Sequence, residues 1–351
     1  MVCDAVLCVS THSALARPLG FADMVSIQRR RHATPAPATT MPRLPKEVRY
    51  GATRTLYTTP HGSMLLQVCD HRCVIKRLPT VQTDDTRDLT AMARHEIDML
   101  SVLRERPHEG LIQALGWVPH ASSIDILLPL YAADLMDALL RVDSRGLSIA
   151  VARSIFRQVA EALAHLHTTL RLAHRDVSSE NVLLAFDGTL DDVLAGTVPV
   201  RAVLTDWADA VRLDDGLACG RRGKRGYCAP EVYIVGPPEE ERRYDAMAAD
   251  AWSSGAMLFM MLSGRPAYDL PEATDDFFAE LCRGGSYHLH QCMLTLPANQ
   301  PLPHDAVDRL HELHESGAYR LMNQLLQLCP DHRATFDQIV SSPESWIAPT
   351  P

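Results

Sequence analysis

The sequence predicts an α+β protein: a small antiparallel β lobe that carries one helix, followed by a larger and mainly helical lobe. Three observations predict it. The chain has 351 residues, which is enough for two structural units or one large two-lobed unit. Short β-type runs cluster early in the chain, and helical spacing of apolar residues dominates from residue 148 onwards. Strands first and helices afterwards favour two such lobes.

The composition describes an ordinary globular protein with a modest excess of acid. Hydrophobic residues make up 46% of the chain and charged residues 22%, values that exclude a mostly disordered or coiled-coil protein. The net charge of −9 disfavours nucleic acid as a general partner and mildly favours basic substrates. The longest apolar stretch, 256–262, is far shorter than the roughly 20 residues that span a bilayer, so we expect no membrane segment.

The nine cysteines are scattered and odd in number, in a chain without a persuasive secretory signal. This pattern fits reduced thiols in the cytoplasm or nucleus better than a disulfide framework. Cys69, His71 and Cys73 are close enough to suggest a metal site. The segment is typical of a hairpin, however, and no second ligand pair follows at a suitable spacing, so we disfavour a metal there.

Residues 1–47 stand apart from the rest of the chain. An arginine cluster at 29–31 and a Pro/Ala/Thr stretch at 35–45 predict a mobile tail joined to a domain by a stiff linker. A transit peptide is the alternative, because arginine outnumbers acid in this segment, but Asp4 and Asp23 argue against it.

Short β-type runs follow the tail, at 54–59, 63–69 and 72–78, and predict an antiparallel meander. A helix comes next. Its inward face is marked, at steps of three and four residues, by Leu89, Ala93, Glu96, Leu100 and Leu103. From Ser148, a plausible N-cap, the chain turns mainly helical. That helical face carries Ile155, Val159, Leu163, Leu166 and Leu170.

Glu96 is the exception on the apolar face of the first helix. A carboxylate there is costly unless it meets a cation, although an exposed edge position is the alternative. Lys76 ends an apolar run 20 residues earlier and is one of three lysines among 34 basic residues. We therefore predict a partly buried Lys76–Glu96 ion pair with the charged atoms within about 4 Å.

A polar segment near the middle of the chain carries further candidate chemistry. Asp176 ends a His-Arg-Asp triplet and supplies a base for a hydroxyl, and Asn181, five residues later, supplies an amide able to bind a metal. Asp206 follows a second β-type run, 203–205, and offers another carboxylate. Mg²⁺ prefers one or two such oxygen ligands together with substrate phosphates.

Two later motifs complete an ordered series. The triplet Ala-Pro-Glu ends at Glu231, 25 residues after Asp206, and Asp250 opens an apolar helix. Together these motifs make the sequence resemble the eukaryotic protein kinase family, of the Ser/Thr type, over about 48–346. The resemblance implies a bilobal protein-kinase-like fold that binds ATP between its lobes. Its parts are an N-lobe at 48–130, a C-lobe at 131–346, and tails at 1–47 and 347–351.

The resemblance also implies roles for the residues above. Lys76 would hold the α- and β-phosphates of ATP and pair with Glu96, and Asp176 would orient and deprotonate the substrate hydroxyl. Asn181 and Asp206 would bind Mg²⁺. Leu128 would face the adenine, backbone groups near Tyr131 would bind the base and Asp134 would meet the ribose. The nucleotide-binding residues beyond Lys76 and Glu96 are Gly62, Val74, Leu128, Tyr131, Asp134 and Leu183. A structural ion pair would join Glu231 to Arg333.

Several positions depart from the family pattern. The glycines of the phosphate loop would fall on Tyr57, Thr59 and Gly62, so only the last is glycine, and bulky residues limit backbone approach to the phosphates. Val74 stands where the family prefers alanine, and Trp207 replaces a phenylalanine. Extra residues at 188–198 predict a surface loop. A catalytically weak pseudokinase scaffold is therefore the alternative to an active kinase, while the later motifs disfavour a small-molecule phosphotransferase.

Two features concern regulation and substrate. The segment 207–230 contains no Ser or Thr, so phosphorylation there has no hydroxyl to act on. Arg175 usually meets such a phosphate in the family, and Asp214 or Asp215 supplies a fixed charge or is simply solvated. Glu180, Asp134 and the net charge of −9 favour protein substrates with arginine or lysine before the target hydroxyl. The oligomeric state stays open.

One exchange is specific to this chain. The family usually carries a lysine two residues after the catalytic aspartate and a threonine seven residues before the glutamate of the Ala-Pro-Glu triplet. Here these positions are Ser178 and Lys224. A solvated lysine is the alternative, but we predict that Lys224 reaches Asp176 and Ser178, with Nζ about 2.7 to 4 Å from the carboxylate, and supplies the cation for phosphoryl transfer.

Overall fold

The computed structural model describes residues 53–59, 62–67, 73–80, 89–142, 145–213, 217–234, 243–295 and 304–348. All of them belong to one compact unit, Thr34–Pro351. The predicted tail, Cys69 and His71 lie outside the described residues, as do Asp214 and Asp215. Within the described residues, no helix is both long enough and apolar enough to cross a bilayer.

An antiparallel sheet of five strands forms the first lobe, in the order β1-β2-β3-β5-β4. Its strands are β1 (Thr53–Thr59), β2 (Gly62–Gln67), β3 (Cys73–Pro79), β4 (Gly116–Pro119) and β5 (Ser123–Pro129). The predicted meander is confirmed, because β2 pairs with both β1 and β3. Strand β3 lies between β2 and β5, and this position places Lys76 inside the sheet rather than at its edge.

Helix α1 (Leu89–Glu105) is the helix of the first lobe. The predicted inward face is confirmed at Ala93, Glu96, Leu100 and Leu103, which are buried. Because side chains three and four positions apart share one helix face, the same burial that holds these apolar side chains also carries Glu96 inward. The spacing of the sequence thus fixes the direction in which that carboxylate points.

The second lobe is mainly helical. Its helices are α2 (Leu135–Leu139), α3 (Ile149–Thr168), α4 (Leu190–Leu194), α5 (Pro230–Tyr233), α6 (Ala246–Ser263), α7 (Asp276–Thr295), α8 (His304–Glu315), α9 (Ala318–Leu325) and α10 (Phe336–Ser341). Ser148 caps α3 as predicted, since its side chain accepts the Val151 N–H at 3.3 Å. Leu170, assigned to that helix from the spacing, is buried but lies beyond the helix end at Thr168.

Short strands of the second lobe precede and follow the polar residues Asp176, Asn181 and Asp206 along the chain. The strands are β6 (Ala133–Asp134), β7 (Leu172–Ala173), β8 (Val182–Ala185), β9 (Arg201–Leu204), β10 (Val211–Arg212), β11 (Leu217–Cys219) and β12 (Arg243–Asp245). Val182 of β8 pairs with Leu204 of β9 in antiparallel register. Asn181 directly precedes Val182 and Asp206 follows Leu204 by two residues, so the register brings both to the same end of this hairpin.

One expectation about the course of the chain needs correction. The segment 188–198 is not simply a surface loop, because it contains α4, which buries Val193 to 1% exposure. A capping box between Thr189 and Asp192 starts this helix. Ile347, the first residue of the predicted C-terminal tail, is 3% exposed.

Candidate active site

Lys76 joins two carboxylates from different parts of the chain. Its Nζ donates to Glu96 Oε1 at 2.6 Å and to Asp206 Oδ1 at 2.8 Å. The predicted Lys76–Glu96 ion pair is confirmed, and both side chains are largely buried, at 12% and 4% exposure. Strand β3, helix α1 and the end of β9 therefore meet at one ammonium group.

Burial and charge act in opposite directions on these three groups. Burial alone disfavours the charged form of Lys76, but the carboxylates of Asp206 and Glu96 outweigh it and hold its pKa above the ordinary value. Burial raises the pKa of Glu96, and the charge of Lys76 offsets part of that rise. Burial also opposes charge on Asp206, yet Lys76 and, more weakly, Lys224 hold its pKa well below the usual range. Asp206 is therefore ionised at neutral pH.

The turn that carries Asp206 is held on both sides. Asp206 has a φ of 69°, in the left-handed region that aspartate tolerates better than most residues. The next residue, Trp207, is 1% exposed and packs against the ring of His174, with centroids 4.7 Å apart. On the other side, His95 Nε2 of α1 donates to the carbonyl oxygen of Ala210 at 2.7 Å. These contacts fix the turn relative to α1.

Trp207 also leaves a polar group without a partner. Its indole Nε1 is buried and makes no hydrogen bond to any of the described residues. A buried donor without a partner costs about 1–3 kcal/mol. The tryptophan therefore adds apolar packing against His174 at a polar cost that a phenylalanine would not carry.

The loop before Asp176 is clamped from helix α6. Asp250, 1% exposed, accepts the main-chain N–H groups of His174 and Arg175, each at 2.7 Å. The ring of His174 links two further points, because Nδ1 accepts the Asp176 N–H at 3.2 Å and Nε2 donates to the carbonyl oxygen of Thr205 at 3.1 Å. These hydrogen bonds fix the main chain at Asp176 and so position its side chain.

The carboxylate of Asp176 receives two donors on one oxygen. Oδ2 accepts from Asn181 Nδ2 and from Lys224 Nζ, each at 2.8 Å. Lys224 Nζ also donates to Ser178 Oγ at 2.9 Å, so the predicted contact of Lys224 with both residues is present. The other oxygen, Asp176 Oδ1, is buried and has no hydrogen-bond partner among the described residues. The two oxygens of this carboxylate are therefore held differently.

Lys224 is charged in this setting. Burial opposes its charge, but the neighbouring carboxylates of Asp176 and Glu180 outweigh burial and raise the pKa of the ammonium group. Its side chain keeps 36% exposure, compared with 13% for Asp176. The cation therefore lies at the rim of the site, between the buried aspartate and solvent.

Asn181 and Asp206 suit a magnesium ion. The side-chain hydrogen bonds of Asn181 to Asp176 both use Nδ2, which leaves the amide oxygen as its ligand atom. Asp206 uses Oδ1 for Lys76 and keeps 40% side-chain exposure, so its second oxygen is open to a ligand. A carboxylate and an amide oxygen at one end of a hairpin are the hard donors that Mg²⁺ takes, completed by phosphate oxygens and water.

The expected nucleotide-binding residues lie on or beside strands β2, β3, β5, β6 and β8. Val74 of β3 pairs in register with Leu128 of β5, and both are buried. Leu183 of β8 is half-buried and Gly62 begins β2. The ring centroid of the half-buried Tyr131 lies 5.7 Å from the guanidinium carbon of Arg201.

Asp134 has a local role that the sequence analysis missed. It is 3% exposed, and its Oδ1 accepts the Asp137 N–H at 2.8 Å, capping α2. In turn, Asp137 Oδ2 accepts the Asp134 N–H at 3.2 Å, which completes a capping box. The pair of aspartates three residues apart is the signal that predicts this cap. The ribose contact of Asp134 stays a prediction.

The structural ion pair between Glu231 and Arg333 is confirmed. Two parallel bonds of 2.6 and 2.8 Å join the guanidinium group to the carboxylate. Arg333 is 1% exposed at its side chain and also donates to the carbonyl oxygen of Ala248 at 2.9 Å. This pair ties α5, which follows the segment 207–230, to α6 in the body of the second lobe.

A small antiparallel lobe, a helical lobe and a lysine, two aspartates and an asparagine assembled between them define a protein kinase domain. The family model for the protein kinase domain matches residues 65–346, which is most of the chain. The chain therefore belongs to the eukaryotic protein kinase family.

The comparison with curated proteins agrees with this assignment. CBL-interacting protein kinase 4 of Oryza sativa subsp. japonica is 32% identical over 253 residues, 71% of this chain and 47% of the relative. Sucrose non-fermenting protein kinase 1 of Fusarium virguliforme is 27% identical over 318 residues, 88% of this chain and 38% of the relative. The SNF-related serine/threonine-protein kinase of Rattus norvegicus is 24% identical over 269 residues, 75% of this chain and 30% of the relative. This chain spans less than half the length of these relatives.

Proposed function

We propose that this protein transfers the γ-phosphate of ATP to serine or threonine hydroxyls of protein substrates. The observation that carries the proposal is the pair of bonds from Lys76 to Glu96 and Asp206, at 2.6 and 2.8 Å. Phosphoryl transfer depends mainly on positioning and on stabilising developing charge. The fold itself brings these charged groups together at the place where the proposal puts the nucleotide.

Asp176 acts as the base in this proposal. Its Oδ2 is held by Asn181 and Lys224, so the side chain cannot rotate freely, while the unpaired Oδ1 accepts the proton of the substrate hydroxyl. Lys224 places its ammonium group beside the point where charge develops, and Ser178 orients that group. A charge positioned before the reaction stabilises the transition state without reorganisation.

Asn181 and Asp206 hold Mg²⁺ in this proposal, and the ion, when bound, neutralises charge on the phosphates. Lys76 adds a cation for the α- and β-phosphates. The nucleotide lies between the lobes, against Gly62, Val74, Leu128, Tyr131, Asp134 and Leu183.

A non-catalytic scaffold is the second candidate, and one observation favours it. Val74, where the family prefers alanine, is 7% exposed and lies directly opposite Leu128, which is 6% exposed. The extra methyl groups at this position narrow the space for adenine. Overfilling a packed site costs about 1–3 kcal/mol, which weakens nucleotide binding but removes no catalytic polar group.

Thermal unfolding and phosphate transfer, measured together, separate the two candidates. We expect Mg²⁺-ATP to raise the unfolding temperature and the protein to label a basic protein substrate. Asp176→Asn should keep the thermal shift and lose transfer, and Asp206→Asn should lose the Mg²⁺-dependent part of the shift. Asp191→Asn, at an exposed ion pair, is the matched control and should change neither. A thermal shift without transfer by the unaltered protein supports the scaffold instead.

Basic residues before the target hydroxyl are the proposed substrate preference. The net charge is −9, and Glu180, next to Asn181, has a buried Oε2 without a hydrogen-bond partner in the described part of the chain. An unpaired buried carboxylate oxygen favours a cationic ligand. A peptide array tests this preference, which fails if acidic or neutral positions score as well as arginine and lysine.

The cytoplasm or nucleus is the proposed location. Among the described residues, four cysteines are free thiols: Cys219, Cys228, Cys282 and Cys329. Reduced thiols are usual in those compartments. Fractionation of cells that express the tagged chain tests the location.

A further inference from the structure

A cluster of three metal-ligand side chains lies on helix α7, and the proposed phosphate transfer does not use it. The ligand atoms of Glu280, His288 and Cys292 all lie within 4.8 Å of one another. His288 Nε2 is 2.7 Å from Glu280 Oε2. Cys292 Sγ is 3.6 Å from His288 Nε2 and 3.7 Å from Glu280 Oε2. All three side chains are half-buried, so an ion can reach them from solvent.

A break in the helix creates this cluster. In a continuous α-helix, residues eight apart are separated by about 12 Å along the axis, so Glu280 and His288 would not meet. Gly285 has a φ of 73° and interrupts α7 between them. Asn323 of α9 fixes the break, since its Oδ1 accepts from the Ser286 N–H at 2.9 Å and from the Ser286 hydroxyl at 2.8 Å.

The neighbouring Gly284 allows the close approach of His288. A Cβ at Gly284 would lie 2.5 Å from both Cβ and Cγ of His288. Carbon atoms that are not bonded cannot approach so closely, so any larger residue would clash with the imidazole. Two successive glycines are therefore needed, one for the left-handed turn and one for the space that the imidazole occupies.

The donor set and its dimensions suit zinc. Thiolate sulfur, imidazole nitrogen and carboxylate oxygen are the three donor types that Zn²⁺ takes in proteins. Tetrahedral zinc, with bonds of about 2.3 Å to sulfur and 2.0–2.2 Å to nitrogen and oxygen, separates sulfur from the other two donors by roughly 3.5 Å. The two observed sulfur distances agree with that value. The nitrogen–oxygen distance must open from 2.7 Å to about 3.3 Å when a cation replaces the shared hydrogen.

Arg283 sets the binding mode of the carboxylate. Its guanidinium group forms an ion pair with Glu280 Oε1, which leaves Oε2 as the ligand atom. An outer partner of this kind orients a ligand and is typical of protein metal sites.

We infer that Glu280, His288 and Cys292 form a zinc site with three protein ligands. Water, or a side chain from a partner, completes the coordination at the fourth position. Because Glu280 precedes the break in α7 and the other two ligands follow it, the ion holds the two halves of the helix in their kinked arrangement. The site is separate from the phosphate-transfer site and does not depend on it.

Metal binding by the full-length chain tests the inference. The protein is stripped with a chelator and titrated with Zn²⁺, and with Co²⁺ as a spectroscopic probe of thiolate ligation. We expect one tightly bound ion per chain, a cobalt–thiolate absorption band and a higher unfolding temperature with Zn²⁺. Cys292→Ser should abolish the band, and Glu280→Gln, which keeps a hydrogen bond to His288, should weaken binding by about 10- to 100-fold.

Two cysteine variants act as controls. Cys282→Ser alters an exposed thiol of the same helix, and Cys69→Ser alters the other sequence segment in which Cys and His lie close together. Both should keep the cobalt band and the zinc-dependent thermal shift. Absence of stoichiometric binding, a band that persists in Cys292→Ser, or a band lost in either control would overturn the inference. If Cys292→Ser fails to fold, Glu280→Gln alone decides between these outcomes.

Discussion

Arg175 Nη2 donates a 2.6 Å hydrogen bond to the main-chain carbonyl oxygen of Cys219. The same atom donates to the Gly220 carbonyl oxygen at 3.0 Å, and Nε donates to the Tyr244 hydroxyl at 3.0 Å. Strands β11 and β12 pair beside these contacts. Neutral acceptors thus occupy the guanidinium group of Arg175, and two of them, Cys219 and Gly220, belong to the segment 207–230, which has no Ser or Thr.

The first prediction is that this segment needs no phosphate. Protein made in bacteria and treated with a phosphatase should keep its transfer activity, because the bonds of Arg175 are already satisfied by main-chain oxygens and Tyr244. The measurement is the rate of phosphate transfer before and after treatment. A large loss, if Thr34→Ala reproduces it, would place control in the tail, where Thr34 follows Arg31 by three residues.

The second prediction concerns Lys76→Arg. A planar guanidinium group cannot replace a compact ammonium group that meets two carboxylates at 2.6 and 2.8 Å. We expect kcat to fall by about 10²-fold or more, with the protein still folded by circular dichroism. Arg94→Lys, the reverse exchange at an exposed position of α1, is the control and should leave kcat unchanged. Near-normal activity of Lys76→Arg would contradict the role given to Lys76.

The sequence predicted those parts of the site that depend on local spacing. Glu96 could be placed inward because a helical repeat of apolar residues surrounds it, and a scarce lysine at the end of an apolar run supplied its partner. Lys224 and Ser178 could be paired by counting from two motifs. Each of these predictions needed only residue type and interval.

Contacts to main-chain atoms could not be predicted in this way. The bonds of Asp250 to the N–H groups of His174 and Arg175 cross 76 and 75 residues, and backbone donors look alike in every sequence. Arg175 meets carbonyl oxygens for the same reason without any sequence signal. By contrast, the cap at Asp134, the short helix after Thr189 and the break at Gly285 each had a local signal.

The third prediction concerns stability. Arg333→Met leaves the Glu231 carboxylate, 18% exposed at its side chain, without its two hydrogen bonds. Removing one partner of a buried ion pair costs about 3–5 kcal/mol, so the free energy of unfolding in urea should fall by that order. Arg141→Met breaks an exposed pair with Asp191 and should cost less than about 1 kcal/mol. Equal losses in the two variants would contradict the bracing role of Arg333.

The fourth prediction is a pH dependence from His290. The residue is 3% exposed, and Nδ1 lies 2.6 Å from the Tyr319 hydroxyl. Burial, with Arg309 and Arg265 nearby, lowers the pKa of His290 from 6.5 to about 4. The unfolded chain therefore binds a proton between pH 6.5 and 4 that the folded chain does not, so stability falls as the pH is lowered through this window.

The size of this effect follows from the shift. Between pH 7 and pH 4.5, His290 should remove about 2.5 kcal/mol of stability. His290→Asn, which keeps a polar atom near the position of Nδ1, should flatten that part of the curve. The measurement is urea unfolding across the pH range. Parallel curves for the two proteins would mean that His290 does not titrate on unfolding.

Lys224 Nζ reaches Asp176 Oδ2 at 2.8 Å across 48 residues of chain. Removing the ammonium group should leave nucleotide binding nearly intact, because Lys76, Asn181 and Asp206 remain. The loss should fall on the chemical step instead. Arg225→Ala removes the next cation along the chain, which pairs with Asp269 at the surface, and is the matched control.

The kinetics of the exchanged pair test most directly whether this site transfers phosphate with Lys224 as its cation. Initial rates over a range of ATP concentrations give kcat and KM for each variant. We predict that Lys224→Ala lowers kcat by about 10²-fold or more with little change in KM for ATP, that Arg225→Ala changes neither, and that Ser178→Lys combined with Lys224→Thr restores part of the loss. An unchanged kcat in Lys224→Ala, or an effect confined to KM for ATP, would contradict the claim that Lys224 supplies the cation for phosphate transfer.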